Sequence, residues 1–139
     1  MLNNNFDKKL IHRAVLGKAS KGASPEQLVR FGKAFDKHIV KVYASQLGVY
    51  SNQLFIIDKA FNKGKKDTIV SSHIEHETAP PLRIDWRLRD RGNGIKIIDI
   101  AIEGVSLLAT KRADFGASIK KGGLHSLIID LETKNAENK

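Results

Sequence analysis

The chain contains no cysteine, which excludes disulfide bonds and metal sites built on thiolates. It also lacks any apolar run long enough to span a bilayer, and its first residues are polar without the apolar core of a signal peptide. If Met1 is the true start of the chain, the sequence taken literally predicts a cytoplasmic protein. A length of 139 residues fits one domain with a single core. We expect that domain to cover residues 1–133, followed by a polar tail over residues 134–139.

The chain is basic, with a formal net charge of +9 at pH 7. Such an excess favours phosphate-rich partners, which include nucleic acid and anionic membrane surfaces. The lysines and arginines are scattered along the chain, however, which is typical of a charged surface that serves solubility. The densest cluster is formed by Lys63, Lys65 and Lys66, and it indicates the solvated tip of a hairpin.

Two helices are predicted ahead of the strands. The first covers residues 6–16 and is followed by a loop at residues 18–23. Ser24, Pro25 and Gln27 then supply an N-cap, a proline at the first helical position and a capping-box glutamine. From there apolar residues recur at helical spacing, which predicts a long helix with an apolar face formed by Leu28, Phe31, Phe35, Ile39, Val42 and Leu47.

Four strands are predicted next, over residues 53–61, 67–77 and 82–88 and in a last strand that ends near Ile102. Short hairpin links between them predict an antiparallel meander. Gly104 then turns the chain into two short helices split by Gly122-Gly123. Helices before and after a four-stranded antiparallel sheet give an α+β fold, with the sheet curved around the helices as in the NTF2-like cone.

The segment His73-Ile74-Glu75-His76-Glu77 contains the residue types of a metal site. On a strand, His73, Glu75 and Glu77 share one face while His76 points the other way. A zinc site needs three converging donors and a supporting outer shell. A polar strand edge is the simpler interpretation, so no metal site is predicted.

Three carboxylates are candidate acids or bases for an NTF2-like enzyme such as a ketosteroid isomerase. Asp85 and Asp99 alternate with apolar residues of their strands and are expected to face outward. Glu103, at a strand end, is expected to cap a helix or to pair with a basic residue. A catalytic carboxylate belongs in an apolar pocket that perturbs its pKa, so no catalytic residue is predicted. An NTF2-like small-molecule-binding enzyme is the second hypothesis.

A basic strip is predicted on the outer face of the sheet. Its members are Arg83, Arg87, Arg89, Arg91 and Lys96. Trp86 lies on the opposite face, whereas binding of single-stranded nucleic acid needs cations and aromatic rings on the same face. A basic nucleic-acid-binding module is therefore only the third hypothesis.

The segment Glu103-Gly104-Val105-Ser106-Leu107, followed by Thr110-Lys111-Arg112, resembles the MlaC family, also called toluene-tolerance proteins. The resemblance extends over residues 16–131. It includes Ser24-Pro25-Glu26-Gln27 at a helix start, a proline-led strand at residues 81–88 and a closing helix at residues 124–131. Each motif alone is weak, but their order and spacing together are specific.

Members of the MlaC family are periplasmic phospholipid carriers that serve an ABC transporter. The resemblance implies a non-enzymatic carrier that holds acyl chains in an apolar cavity, shuttles lipid between membranes and maintains outer-membrane lipid asymmetry. Phospholipid is the implied ligand and no cofactor is expected. The implied partners are an inner-membrane MCE-type ABC transporter complex, an outer-membrane lipoprotein complex and an anionic membrane surface. Nucleic acid is not expected to be a partner.

Family members carry a signal peptide and additional helices ahead of the point where this sequence starts. The resemblance therefore implies a periplasmic location and an N-terminally shortened version of the fold. By position, it places Tyr43 and Val105 in the cavity lining. The face pattern of the helices and strands adds Leu47, Leu82, Ile84, Trp86, Ile100, Ile102, Leu108 and Phe115. An apolar lining of this kind attracts acyl chains by burial alone, at roughly 0.8 kcal/mol per CH₂.

Overall fold

A computed structural model of the protein describes residues 5–47, 54–92 and 94–137, with the side chains of residues 44–47 and 54 outside the description. Helices α1 (Lys8–Leu16), α2 (Ala19–Gly22) and α3 (Pro25–Leu47) come first. Strands β1 (Leu54–Lys63), β2 (Asp67–Glu75), β3 (Leu82–Asp90), β4 (Ile95–Ile102) and β5 (Val105–Ser106) follow, and helix α4 (Leu107–Glu137) ends the described chain. The predicted α+β class is confirmed.

The chain divides into two compact units. The sheet unit comprises Met1–Ile11 and Tyr50–Thr110, and the helical unit comprises His12–Val49 and Lys111–Lys139. The prediction of a single lipid-binding domain over residues 1–133 stays a prediction. Helix α4 continues to Glu137, so a regular helix reaches into the segment predicted as a polar tail.

The five strands form one antiparallel sheet in the order β1-β2-β3-β4-β5. The predicted meander is confirmed. The register shifts at Asp58 in β1 and at Ile98 in β4, where one extra residue interrupts each ladder. Such bulges bend the strand and increase its twist, which curves the sheet.

The sequence does not predict strand β5. It assigns Val105 and Ser106 to the start of the last helix, and this assignment is wrong because both residues pair with β4. Glu103 and Gly104 join the two strands in a two-residue turn with φ angles of 52° and 83°. Positive φ at both positions is characteristic of a type I′ hairpin. The predicted glycine turn is therefore confirmed, but it closes a hairpin before the helix begins.

Asp99 connects the end of the sheet to the first turn of α4. Its carboxylate accepts hydrogen bonds from the Ser106 hydroxyl at 2.5 Å and from the Leu108 N–H at 3.0 Å. The Ser106 hydroxyl oxygen in turn accepts the Ala109 N–H at 3.0 Å. These bonds satisfy N–H groups that the first turn of a helix leaves without partners.

In the helical unit, α3 starts at the predicted capping box. The Gln27 N–H donates to the Ser24 hydroxyl at 3.1 Å, and the Ser24 N–H donates to the Gln27 side chain at 3.0 Å. Helix α4 is interrupted at Gly123, where φ is 87° and ψ is 167°, so the predicted break at Gly122-Gly123 is confirmed. The buried core of this unit consists of Val15, Leu16, Phe31, Ala34, Phe35, Phe115, Leu127, Ile128 and Leu131.

Two predictions for the first part of the chain are wrong: the start of the first helix and the loop after it. Helix α1 begins at Lys8, and the short helix α2 lies inside the segment predicted as a loop. Over the described residues, no helix combines the length and the apolar character that a bilayer crossing requires.

Candidate functional site

One face of the sheet is apolar across all five strands. A central row runs through directly paired residues, in the order Ile57, Ser72, Ile84, Ile102 and Val105. Two flanking rows consist of Phe55, Ile74 and Leu82 on one side and of Ala60, Val70, Trp86 and Ile100 on the other. Residues directly opposite each other on paired strands share a face. We call these three rows the apolar sheet face.

The apolar sheet face is buried at its centre and exposed along both edges. Ile84 is 5% exposed, whereas Ile57 at the β1 edge and Val105 at the β5 edge are 64% and 60% exposed. Phe55, also on β1, is 51% exposed. Large apolar side chains that remain in water at the edges of a buried face are available to an apolar ligand.

A buried hydroxyl fixes the indole ring on this face. Ser72 is completely buried, and its hydroxyl donates to the Ile84 carbonyl oxygen at 2.7 Å. The same oxygen accepts the Trp86 indole N–H at 3.0 Å. Phe55 meets the Trp86 ring edge-on with a centroid separation of 6.4 Å. The indole N–H is therefore satisfied inside the protein, and the rest of the ring presents apolar surface.

Six of the ten predicted lining residues belong to the apolar sheet face. They are Leu82, Ile84, Trp86, Ile100, Ile102 and Val105. Leu108 is also in the sheet unit, in the first turn of α4, and is partly buried.

The predicted residues of α3 and of the later part of α4 belong to the helical unit. Phe115 is 6% exposed and packs edge-on against Phe31 and Phe35, with both centroid distances at 6.0 Å. Tyr43 is partly buried, and burial raises the pKa of its phenol, with a smaller contribution from Asp114. The side chain of Leu47 lies outside the described residues. The assignment of Tyr43, Leu47 and Phe115 to the lining of a ligand cavity stays a prediction.

Carboxylates hold four arginines of the predicted basic strip. Arg83 pairs with Asp85 at 2.7 Å, and Arg91 pairs with Asp7 at 2.6 Å. Arg87 and Arg89 share the buried carboxylate of Asp67, at 2.5 and 2.6 Å. Because these charges are compensated within the sheet unit, the strip offers less positive charge to phosphates than its sequence indicates.

The three candidate acids are engaged in structural contacts. Asp85 holds Arg83, Asp99 caps α4, and the Glu103 carboxylate accepts the Arg83 backbone N–H at 2.6 Å. The Glu103 N–H also donates to the Arg83 carbonyl oxygen at 3.0 Å. These contacts account for the positions of all three carboxylates without a catalytic role.

His73 lies between two carboxylates at the surface of the sheet. Its Nδ1 is 2.8 Å from Asp58 and its Nε2 is 3.3 Å from Glu75. The hydrogen bond to Asp58, and next that to Glu75, raises the pKa of the His73 imidazole. Among the described residues, no group of three or more histidine and carboxylate side chains is arranged to hold a metal ion.

Four residues of the sheet were not predicted from the sequence: Phe55, Ile57 and Ser72 of the apolar sheet face, and Asp67 of the opposite face. Phe55 and Ile57 are separated by one residue on β1, and their alternation is a detectable signal that continues only as far as the bulge at Asp58. The bond of Ser72 to Trp86 depends on the register of β2 against β3, which no local pattern reports. The role of Asp67 depends on the same register, because it lies directly opposite Arg89.

Comparison with known proteins relates this architecture to one family. The family model described as MlaC protein matches residues 1–133. The chain is 29% identical over 122 residues to the intermembrane phospholipid transport system binding protein MlaC of Haemophilus influenzae. This alignment covers 85% of this chain and 57% of the relative. It is 24% identical over 106 residues to the toluene tolerance protein ttg2D of Pseudomonas putida. This second alignment covers 76% of this chain and 49% of the relative. The chain thus spans about half the length of these curated relatives.

A solved structure shares the fold. The phospholipid-binding protein from Ralstonia solanacearum, solved in complex with a phospholipid, superimposes with a TM-score of 0.86 and 27% sequence identity. The match covers 97% of this chain and 76% of the Ralstonia chain. The family model covers nearly the whole chain, and the shared fold of the Ralstonia protein is consistent with that family. The resemblance found in the sequence is confirmed: this chain belongs to the MlaC family.

Proposed function

We propose that the chain is a non-enzymatic carrier that binds phospholipid by its acyl chains. One observation carries the proposal: a protein of the same fold, with a TM-score of 0.86, was solved in complex with a phospholipid. The apolar sheet face supports it, because apolar side chains along both of its edges remain exposed. The engaged carboxylates support the non-enzymatic part of the proposal, since Asp85, Asp99 and Glu103 each have a structural partner.

The acyl chains would be held by Leu82, Ile84, Trp86, Ile100, Ile102 and Val105 of the apolar sheet face. Each methylene removed from water contributes roughly 0.8 kcal/mol, so burial of acyl chains supplies binding free energy without a reactive group. Tyr43, Leu47, Leu108 and Phe115 are proposed as further lining residues. Phospholipid is the proposed ligand, and no cofactor is included in the proposal.

The proposed setting is the periplasm, because the named relatives belong to a phospholipid transport system and to a toluene-tolerance system. The proposed partners are an inner-membrane MCE-type ABC transporter complex and an outer-membrane lipoprotein complex. With them the carrier would move lipid between membranes and maintain outer-membrane lipid asymmetry. Residues 1–133 are proposed to act as one lipid-binding domain.

A pair of valine substitutions tests the proposal. Val105 and Val40 are 60% and 67% exposed, so an aspartate at either site should leave the fold intact. Val105 belongs to the apolar sheet face, whereas Val40 lies on α3 in the helical unit. Purified protein is stripped of lipid and then mixed with detergent-dispersed fluorescent phospholipid.

Wild type and Val40→Asp should take up the lipid, and Val105→Asp should take up much less. A carboxylate in contact with an acyl chain must be desolvated, which is strongly unfavourable. Absence of uptake by the wild type would refute the carrier function. Equal uptake by the two aspartate variants would refute the assignment of Val105 to the lipid-binding surface.

A further inference from the structure

The positive charge of the protein is concentrated in its helical unit. Thirteen of the 24 basic residues lie there, but only six of the 15 acidic residues do. The helical unit therefore accounts for seven of the nine net positive charges. In the sheet unit, by contrast, arginines are held by carboxylates, as in the pairs of Asp67.

Four exposed cations surround the end of helix α1. We call Arg13, Lys18, Lys21 and Arg112 the Gly17 patch. The Gly17 N–H donates to the Arg13 carbonyl oxygen at 2.9 Å, and the Lys21 N–H donates to the Lys18 carbonyl oxygen at 3.2 Å. Gly17 has a φ of +61°, and the Arg112 Nε lies 3.4 Å from the position that a Cβ on Gly17 would occupy. The Arg112 guanidinium of α4 therefore lies against the backbone that joins α1 to α2.

Among the described residues, no carboxylate pairs with a member of the Gly17 patch. Residues 8–25 contain neither aspartate nor glutamate. The acidic residue nearest to Arg112 in sequence is Asp114, which lies close enough to Tyr43 to affect the pKa of its phenol. The patch therefore presents uncompensated charge to solvent.

The composition of the patch indicates its partner. None of the exposed large apolar residues belongs to it, whereas a stable protein–protein interface has an apolar core. The phenylalanine rings of the helical unit, Phe31, Phe35 and Phe115, are buried and unavailable for stacking on nucleic acid bases, and Tyr43 is partly buried. Exposed cations of this kind suit a surface of anionic headgroups, to which each lysine or arginine adds attraction independently.

We propose that the Gly17 patch docks the protein on the surface of bilayers that contain anionic phospholipid. The inference rests on the proposed carrier function, since a phospholipid carrier must approach a membrane to gain or release its ligand. The attraction brings the helical unit to the headgroups and falls off within a Debye length, so it is reversible and sensitive to salt.

Co-sedimentation of the full chain with vesicles tests the docking surface. One set of vesicles contains phosphatidylcholine and phosphatidylglycerol, and the other contains phosphatidylcholine alone. The test variant is Lys18→Gln/Lys21→Gln. The matched control is Lys63→Gln/Lys65→Gln, which removes the same charge from the β1–β2 hairpin of the sheet unit, where both lysines are exposed.

Wild type should bind the anionic vesicles and not the neutral ones, and added salt should weaken the binding. Each cation near the surface contributes roughly fivefold to partitioning, so the test variant should bind about 25-fold more weakly. The control should bind nearly as well as wild type. Equal loss in both variants, equal binding to neutral vesicles or no binding at all would overturn the proposal. If single-stranded oligonucleotide, at the same concentration of negative charge as the vesicles, releases the protein from them, the patch is a nucleic-acid-binding surface instead.

A parallel uptake assay separates this inference from the carrier function. Detergent-dispersed phospholipid needs no vesicle surface, so Lys18→Gln/Lys21→Gln should take it up like wild type. If wild type binds anionic vesicles but takes up no phospholipid, the carrier function is refuted and the docking surface stands. If it takes up phospholipid but ignores anionic vesicles, the docking surface alone is refuted.

Discussion

Replacing Asp67 with asparagine should destabilise the sheet, and by an amount that depends on pH. The Asp67 side chain is only 3% exposed. One of its oxygens accepts a hydrogen bond from Arg89 Nε at 2.6 Å, and the other accepts from Arg87 Nε at 2.5 Å and Arg89 Nη2 at 2.9 Å. The carboxylate therefore links β2 to two positions of β3. Asparagine keeps the size of the side chain but removes its charge.

The magnitude follows from the pKa of this carboxyl group. The hydrogen bond from Arg89, followed by that from Arg87, lowers the pKa of Asp67 from 3.8 to about 2, although burial acts in the opposite direction. One pKa unit corresponds to about 1.4 kcal/mol, so the ionised group stabilises the fold by about 2 kcal/mol. Because the folded-state pKa is below the unfolded-state value, this contribution is complete above about pH 4 and is lost as the pH falls towards about 2.

Urea unfolding of wild type and Asp67→Asn, followed by the fluorescence of Trp86, measures this contribution. At about pH 7 the variant should be less stable by about 2 kcal/mol, and the difference should shrink as the pH falls below about 4. Glu77→Gln is the control, because Glu77 is exposed and forms no ion pair among the described residues. A stability difference that stays constant from neutral to acidic pH, or one no larger than that of the control, would refute this interpretation.

Two further pairs of substitutions test local features of the sheet and of the turn between β4 and β5. Ser72→Ala leaves the Trp86 indole N–H without its acceptor and should cost roughly 1–3 kcal/mol in urea unfolding. Ser71→Ala should cost far less, because the Ser71 hydroxyl is buried and has no partner among the described residues. Gly104→Ala places a side chain at a φ of 83° and should cost about 1–2 kcal/mol by thermal unfolding. Gly116→Ala, in α4 with open space around it, should be neutral or stabilising, and the reverse order of these two variants would contradict the turn assignment.

Alternation along β3 was enough to predict the residues that this strand contributes to the apolar sheet face. Leu82, Ile84 and Trp86 alternate with polar residues, and the structure pairs each with an apolar residue or with Ser72 on the neighbouring strand. Strict period-two patterning leaves a strand only one way to bury its apolar side. The long helix was equally predictable, because the capping box at Ser24 marks its first turn.

Features that depend on the register between strands were not predictable. The bulge at Ile98 shifts the pairing of β4 against β3, and no local sequence signal marks it. Asp67 lies beside a lysine-rich turn, and only the strand pairing places it opposite Arg89. Strand β5 has only two residues, Val105 and Ser106, which is too short for a periodic pattern to appear.

The distribution of charge was predicted only in part. The sequence places Arg83, Arg87 and Arg89 on one face of a strand, and this placement is correct. It does not show that carboxylates from Asp85 and from another strand neutralise them. Conversely, the proximity of Arg112 to Gly17 joins segments far apart in the chain, which local sequence patterns do not report.

The central claim is that this member of the MlaC family carries phospholipid. Native mass spectrometry of the purified chain, followed by organic extraction and lipid analysis of the same sample, tests it most directly. We expect a population heavier than the bare chain by the mass of bound phospholipid, and an extract that contains that phospholipid. Protein that appears only at the mass of the bare chain, and stays so after incubation with dispersed phospholipid, would contradict the claim.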